Sequence, residues 1–285
     1  MADYSLWRQW LSCYIMTMDV SKLTKLSPIE IGYIVNPALP VIPFAMEVHR
    51  AGCAAPHAHP RGQLIFASRG VMRVICSRDI WVVPPSQAVW VPPEVEHEVY
   101  FPGDASLRNL FIDQSVSRVL PNECKVLKVS PLLRELILES VKVGDTYESD
   151  SAGYRLMMVI IDELRSMEPT DLRLPMGQDE RLQRAMDFLL SNPGDKRAID
   201  ELAIIAGASS RTLARLFVRE TGLTFGTWRK RLILQEAVKR LGKGHSVTSV
   251  AFDLGYGSLS AFIDMFRHAL GSPPGQYVQA ARQTL

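Results

Sequence analysis

The spacing of apolar positions changes twice along this chain, and each change marks a boundary. Between about residues 28 and 120, short apolar stretches (Gln63–Ala67, Val71–Cys76, Ile80–Val83, Glu98–Phe101) alternate with Gly, Pro and charged turns. Strands of that length and spacing predict a small antiparallel β-barrel over residues 28–125. The period then lengthens. Leu132, Leu133, Leu136 and Ile137, followed by Leu156, Val159, Ile160 and Leu164, recur at helical spacing. The acidic, turn-forming stretch 144–151 between them predicts a helix hairpin within residues 126–168. Pro169 and Pro175 bracket a linker, 169–178, and from Asp179 the pattern is helical almost to the end. The fold class expected is therefore multi-domain: an all-β barrel with a helix hairpin, then an all-α domain over 179–285.

Within this helical region the same pattern occurs twice. Leu202-Ala203, Gly207, Leu213, Phe217 and Gly222 are matched by Val250-Ala251, Gly255, Phe262, Phe266 and Gly271, with one residue inserted in the turn of the second copy. Self-similarity at fixed offsets signals a duplicated supersecondary unit. A small residue in a short helix, a glycine turn and a second helix is the plan of a helix-turn-helix. The two units cover about 199–220 and 247–269, with second helices at roughly 210–220 and 258–269. In the first of these, Arg211, Arg215 and Arg219 share one face while Leu213, Leu216 and Phe217 share the other. Arginine is the commonest reader of guanine in the major groove, although a solvated charged face has the same pattern. The second helix offers Leu259, Ser260, Ala261, Asp264 and Arg267 outward; Ser258, Ser260 and Arg267 suit backbone phosphates, whereas Asp264 is repelled by them unless it is paired or accepts from a cytosine amine. Phe225 to Leu241, between the units, predicts one strut helix of roughly 25 Å, setting the second helices about one DNA turn, ~34 Å, apart. The run Arg229-Lys230-Arg231 near its start could touch phosphates.

Charge agrees with a phosphate-bearing partner. The net charge is +2, but residues 178–285 hold 15 Lys+Arg against 10 Asp+Glu, and the rest hold 17 against 20. No stretch reaches the ~18 apolar residues of a membrane span, so no membrane partner is expected. The opening residues 1–27 carry Trp7 and Trp10 but are interrupted by Arg8 and Asp19 and lack a small-residue cleavage site. They read as a leader outside the folded body, and the location expected is the cytoplasm. Cys13, Cys53, Cys76 and Cys124 form no CxxC pair or finger spacing, and reduced thiols are expected.

These residues carry a resemblance. The strings from Leu202 to Gly222, from Arg231 to Leu241 and from Val247 through Gly255-Tyr256 and Ser272-Pro273 to Tyr277 resemble the DNA-binding domain of the AraC/XylS family of bacterial transcription factors. The resemblance implies a seven-helix domain with two helix-turn-helix motifs that binds double-stranded DNA, with RNA polymerase as a further candidate partner. By position it implies DNA contact from Ser210, Arg211, Thr212 and Arg215 in the first unit and from Leu259, Ser260 and Asp264 in the second. The family often has a longer polar or basic residue where Asp264 stands.

A second resemblance lies upstream. His57-Ala-His59-x3-Gln63-x6-Gly70 and Pro92-x4-His97 resemble the two signatures of the cupin barrel, with Gln63 in place of the usual Glu and Glu94 in place of a glycine. Cupins of this kind hold a divalent metal through such a set. Residues two apart in a strand share a face, so His57 and His59 are expected to point together; in the alternation from Glu94 to Val99, His97 points inward and the glutamates outward. Three imidazoles and an amide oxygen suit Zn, Ni, Fe or Mn and exclude calcium. A hydrogen-bonded polar cluster without metal is the alternative. His49, His245 and His268 are isolated.

The sequence therefore reads as a sequence-specific transcriptional regulator, not an enzyme. Its cupin-like barrel would sense a small-molecule effector, a divalent metal or both, and its hairpin would mediate a homodimer. Two rivals remain open: a cupin metalloenzyme (an oxygenase or isomerase) fused to a DNA-binding tail, and an architectural nucleic-acid binder without sequence preference.

Overall fold

The computed structural model describes residues 24–275 apart from 28, 77–78, 86, 102, 168, 171–173, 243 and 271–272. The closing Gly271 of the repeat, Ser272 and Tyr277 of the resembling string, and residues 1–23 of the expected leader lie outside the described residues. The chain divides into two compact units, built on Thr24–Arg173 and Leu174–Val278.

The first unit is a double-sheet barrel carrying a helix hairpin. Its strands are β1 (Thr24–Leu26), β2 (Val41–Val48), β3 (Gly52–His57), β4 (Gly62–Arg69), β5 (Met72–Cys76), β6 (Asp79–Val83), β7 (Gln87–Val91), β8 (His97–Phe101), β9 (Ala105–Ile112), β10 (Lys125–Lys128) and β11 (Pro169–Thr170). One sheet runs β1-β3-β8-β5-β6 and the facing one β11-β10-β7-β4-β9-β2. Pairing is antiparallel except between β1 and β3. β1 falls within the stretch expected as a leader, and β11 within the expected linker.

Along β4 the apolar run is nearly continuous because both faces are covered. Ile65 points into the core between the sheets with Val74, Val83, Val89 and Leu107. Leu64 and Phe66 point the other way, into a second core with Trp90, Leu110 and the hairpin. A short helix α1 (Gln114–Ser117) follows β9. The hairpin helices α2 (Pro131–Val143) and α3 (Ala152–Ser166) start where sequence chemistry dictates: Ser130 and Ser151 accept from the amides of Leu133 and Tyr154, satisfying otherwise orphaned donors. Leu133, Ile137, Met157, Ile160 and Leu164 bury the inner stripe of the hairpin on its own barrel. Leu132 and Val159 remain exposed.

Two expectations are corrected here. Cys76 and Cys124 are joined as a disulfide across a sequence separation of 48, and Cys53 alone among the described cysteines is a free thiol, buried. Spacing rules look for neighbouring cysteines, whereas these two are brought together by the facing sheets. Closing a loop of that size restricts the unfolded chain by about 4 kcal/mol. Glu98, expected outside, is buried and accepts from the Tyr100 hydroxyl at 2.6 Å. On its face of the sheet Glu98 stands opposite Ile75 of β5 and beside Tyr100, whose hydroxyl it binds.

The second unit holds α4 (Glu180–Ser191), α5 (Ile199–Ala206), α6 (Ser210–Thr221), α7 (Phe225–Gly242), α8 (Val247–Asp253) and α9 (Leu259–Leu270). α5-α6 and α8-α9 are the two helix-turn-helix units. Ala203 and Ala251 are buried, as close helix crossing demands. Gly207 and Gly255 take φ of 65° and 85°, a region that penalises any Cβ. α7 spans 18 residues, about 27 Å, with Trp228, Leu232, Leu234 and Val238 buried.

Candidate functional site

In the barrel, β3 ends on His57, and β8 begins on His97, its partner in register. His59 stands two residues further on, in the turn to β4, and Gln63 faces them from β4 on the opposite sheet. The expected grouping of His57 with His59 is present, but not through strand alternation. A register shift between Ala54 and His57 ends the regular strand, and the turn carries His59 inward. Ring centroids lie 4.4 Å (His57–His97), 5.2 Å (His59–His97) and 5.7 Å (His57–His59) apart. One nitrogen from each ring falls within 4.8 Å of the others. His59, Gln63 and His97 are all but fully buried.

The hydrogen-bond inventory determines which ring atoms face the centre. Nδ1 of His57, His59 and His97 meets the carbonyl oxygens of Ala55, Arg61 and Val95 at 2.7, 2.6 and 2.9 Å. A carbonyl only accepts, so each Nδ1 carries the proton and Nε2 of each neutral ring is left as a lone pair. The Nε2 atoms of His59 and His97 approach Gln63 Oε1 to 3.1 and 2.9 Å. Three acceptors cannot satisfy one another. Either the Gln63 amide is turned so that its NH2 donates to both rings, or a cation lies among the lone pairs. Burial lowers the affinity of His59 for a second proton and pushes that of His97 down to about 3, so both rings are neutral at pH 7. Backbone carbonyls holding Nδ1–H are the usual second support of metal-binding histidines. The donor set thus fits a borderline transition metal.

Beside the cluster lies a cavity of about 30 Å³, floored by His57, Gln63, His97 and Asn109 and walled by apolar groups including Ile65 and Phe101. Sequence reasoning missed one residue here. Arg61 is buried, donates to the carbonyls of Ile34, Asn36, Leu39 and Phe111, and pairs with Asp113 at 3.5 Å. It straps residues 34–39 across the barrel. The only sequence signal was a charged residue inside an otherwise buried His-x-His-x-x-x-Gln run.

In the second unit the first recognition helix, α6, is capped by Ser209, which accepts from the Thr212 amide and whose hydroxyl lies 2.9 Å from the Thr212 hydroxyl. Ser210 is its first residue. Arg211 and Arg215 are exposed, and neither side chain makes a hydrogen bond or ion pair to another described residue. Arg219, on the same stripe, is instead tied to Glu220 at 2.7 Å, and Glu220 accepts from the amides of Gln178 and Asp179 at the start of α4. On α9, Asp264 and Arg267 pair at 2.9 Å. Ser258 accepts from the Ala261 amide, Ser260 is exposed and Leu259 half-buried. Of the basic run, Arg229 is engaged by the Arg197 carbonyl and stacks on Phe225, while Lys230 is exposed. His49, His245 and His268 are exposed.

A barrel with an enclosed polar cluster, joined to two helix-turn-helix units, defines a ligand-responsive DNA-binding regulator. Residues 43–186 match the AraC-like ligand-binding domain and residues 202–280 a helix-turn-helix domain, and the chain belongs to the AraC family of transcriptional regulators. It is 39% identical over 222 residues to the HTH-type transcriptional regulator NimR of Escherichia coli K12, covering 78% of this chain and 81% of that one. It is 23% identical over 229 residues to YobQ of Bacillus subtilis 168, an uncharacterised HTH-type transcriptional regulator, covering 78% and 87%. Among solved structures, fatty-acid-bound ToxT of Vibrio cholerae aligns over 84% of this chain and 94% of its own at 9% identity and a TM-score of 0.35. That superposition is too loose to carry an effector across. No helix of the described residues is long and apolar enough to cross a membrane.

Proposed function

We propose that the barrel of this regulator is a cupin-like metal site, and that an effector reaching it changes how the two helix-turn-helix units are presented to DNA. The observation that carries the metal reading is the convergence of ring nitrogens whose Nδ1 protons are committed to the Ala55, Arg61 and Val95 carbonyls. His57, His59 and His97 would bind through Nε2 and Gln63 through Oε1. Four neutral donors suit Zn, Ni, Fe or Mn. Bound there, the metal supplies a Lewis-acidic contact for an effector in the adjoining cavity. Among the described residues lining that cavity there is no carboxylate, lysine or arginine, and the Gln63 amide neither gains nor loses a proton near pH 7; this supports sensing over turnover.

On the DNA side Arg211 and Arg215 would read bases, with Ser210 and Thr212 beside them, while Arg219 is partly committed to Glu220. Ser258, Leu259, Ser260 and the Asp264–Arg267 pair would position the second unit on the backbone. The exposed Leu132 and Val159 on the hairpin's outer face support a homodimer in the cytoplasm, where the DNA is. RNA polymerase is a further candidate partner. An effector that favours one dimer arrangement shifts the population toward it by its differential affinity.

The test is elemental analysis of the full chain, loaded with Zn, Ni, Fe or Mn salts and dialysed, beside a His59→Ala/His97→Ala variant. One ion per parent chain and none in the variant is expected. An empty parent overturns the metal reading and leaves the Gln63 amide donating to both rings.

A further inference from the structure

We propose that Cys76 and Cys124 are a reversible oxidation site, at which a small hydroperoxide closes the disulfide that clasps the two sheets beside the histidine cluster. Cys76 is the last residue of β5 and stands in register with His97 on β8. Cys124 immediately precedes β10, which pairs with β7 in the facing sheet. Their bond therefore ties one sheet to the other, one strand away from an imidazole of the cluster. Both sulfurs belong to the apolar core between the sheets, but unequally: Cys76 is 2% exposed, whereas Cys124 is only partly covered.

That inequality assigns the order of events. The Cys124 thiolate, reachable from solvent, attacks the peroxide and becomes a sulfenic acid as hydroxide (or alkoxide) leaves. The Cys76 sulfur then attacks the Cys124 sulfur, displacing the sulfenic oxygen, which departs with the thiol proton as water. Two thiols are oxidised and one peroxide O–O bond is reduced. An external dithiol reverses the change by attacking Cys124, the open sulfur. Cys53, buried and with its thiol pKa raised by desolvation, stays outside the cycle. In the dithiol state β5 and β10 lose their covalent tie, and the strand bearing His97 gains freedom. The cycle does not depend on a metal at the cluster.

The full chain is reduced with dithiothreitol, treated in its folded state with equimolar hydrogen peroxide, then denatured, alkylated and digested, and the peptides are identified by mass. A Cys76–Cys124 cross-linked peptide is expected after peroxide and should vanish on a second reduction of the folded chain, with Cys53 alkylated throughout. Hydrogen exchange across 97–101 and 125–128 should be about tenfold or more slower in the oxidised form. A Cys124→Ser variant should show neither change, and Cys53→Ser should show both. Four alkylated cysteines after peroxide, cross-links to Cys13 or Cys53, a bond that dithiothreitol leaves intact in the folded chain, or identical exchange in both forms would each overturn the proposal.

Discussion

The two helix-turn-helix units share a backbone and differ in almost everything laid on it. Each has a buried alanine in its first helix, a glycine at positive φ in its turn and a phenylalanine core beneath its second helix. In the first, Phe217 packs on Phe225 and Trp228 of the strut helix. In the second, Phe262 packs on Tyr256 and Phe266, within the unit itself. The outer faces diverge further. α6 presents two uncommitted guanidinium groups, whereas the opposite charges of Asp264 and Arg267 on α9 cancel each other. Geometry is shared by the two copies, while exposed arginine side chains without an ion-pair partner among the described residues are found on α6 and not on α9.

The comparison breaks most sharply at the turns. Gly207 and Gly255 both need positive φ, but a Cβ at Gly255 would meet the Gly194 carbonyl oxygen at 2.6 Å, whereas at Gly207 it meets only the end of the Arg184 side chain at 3.4 Å. Gly255→Ala is expected to destabilise the helical unit by about 2–4 kcal/mol and Gly207→Ala by about 1–2 kcal/mol. Urea titrations followed by helical circular dichroism measure both, and equal losses would mean that φ alone sets the cost. Next comes Arg215→Ala, expected to cost ~1–3 kcal/mol on the cognate operator and little on random duplexes. Anisotropy titrations on both DNAs decide it: a uniform loss would make Arg215 a phosphate contact. Arg219→Ala should cost less on the operator, since that side chain already has a partner. Smallest is Asp264→Asn, which releases Arg267. Affinity should rise a few-fold for all sequences, and the slope of log K against log salt should steepen by about one.

What could be read from residue order follows the same division. Steric requirements are local and therefore legible: alanine at a helix crossing, glycine at positive φ and serine caps before α2, α3 and α6 are all visible in the order of residues. Strand pairing is not local. The Cys76–Cys124 bond, the burial of Glu98 and β1 lying parallel to β3 depend on which strands become neighbours, and no short window of sequence contains that. The histidine cluster falls between. His57, His59 and His97 were recognisable by type and spacing, yet the turn that delivers His59 and the carbonyls that fix its proton emerge only in three dimensions.

Arg61 links two of these features in one residue. Its guanidinium holds the strap 34–39, and its own carbonyl holds the Nδ1 proton of His59 at 2.6 Å. Segment order and imidazole tautomer are therefore not separate variables. The carbonyls of the strap fix the guanidinium of the very residue whose backbone oxygen keeps the His59 proton on Nδ1, so an exposed segment and the protonated side of a buried ring share one anchor.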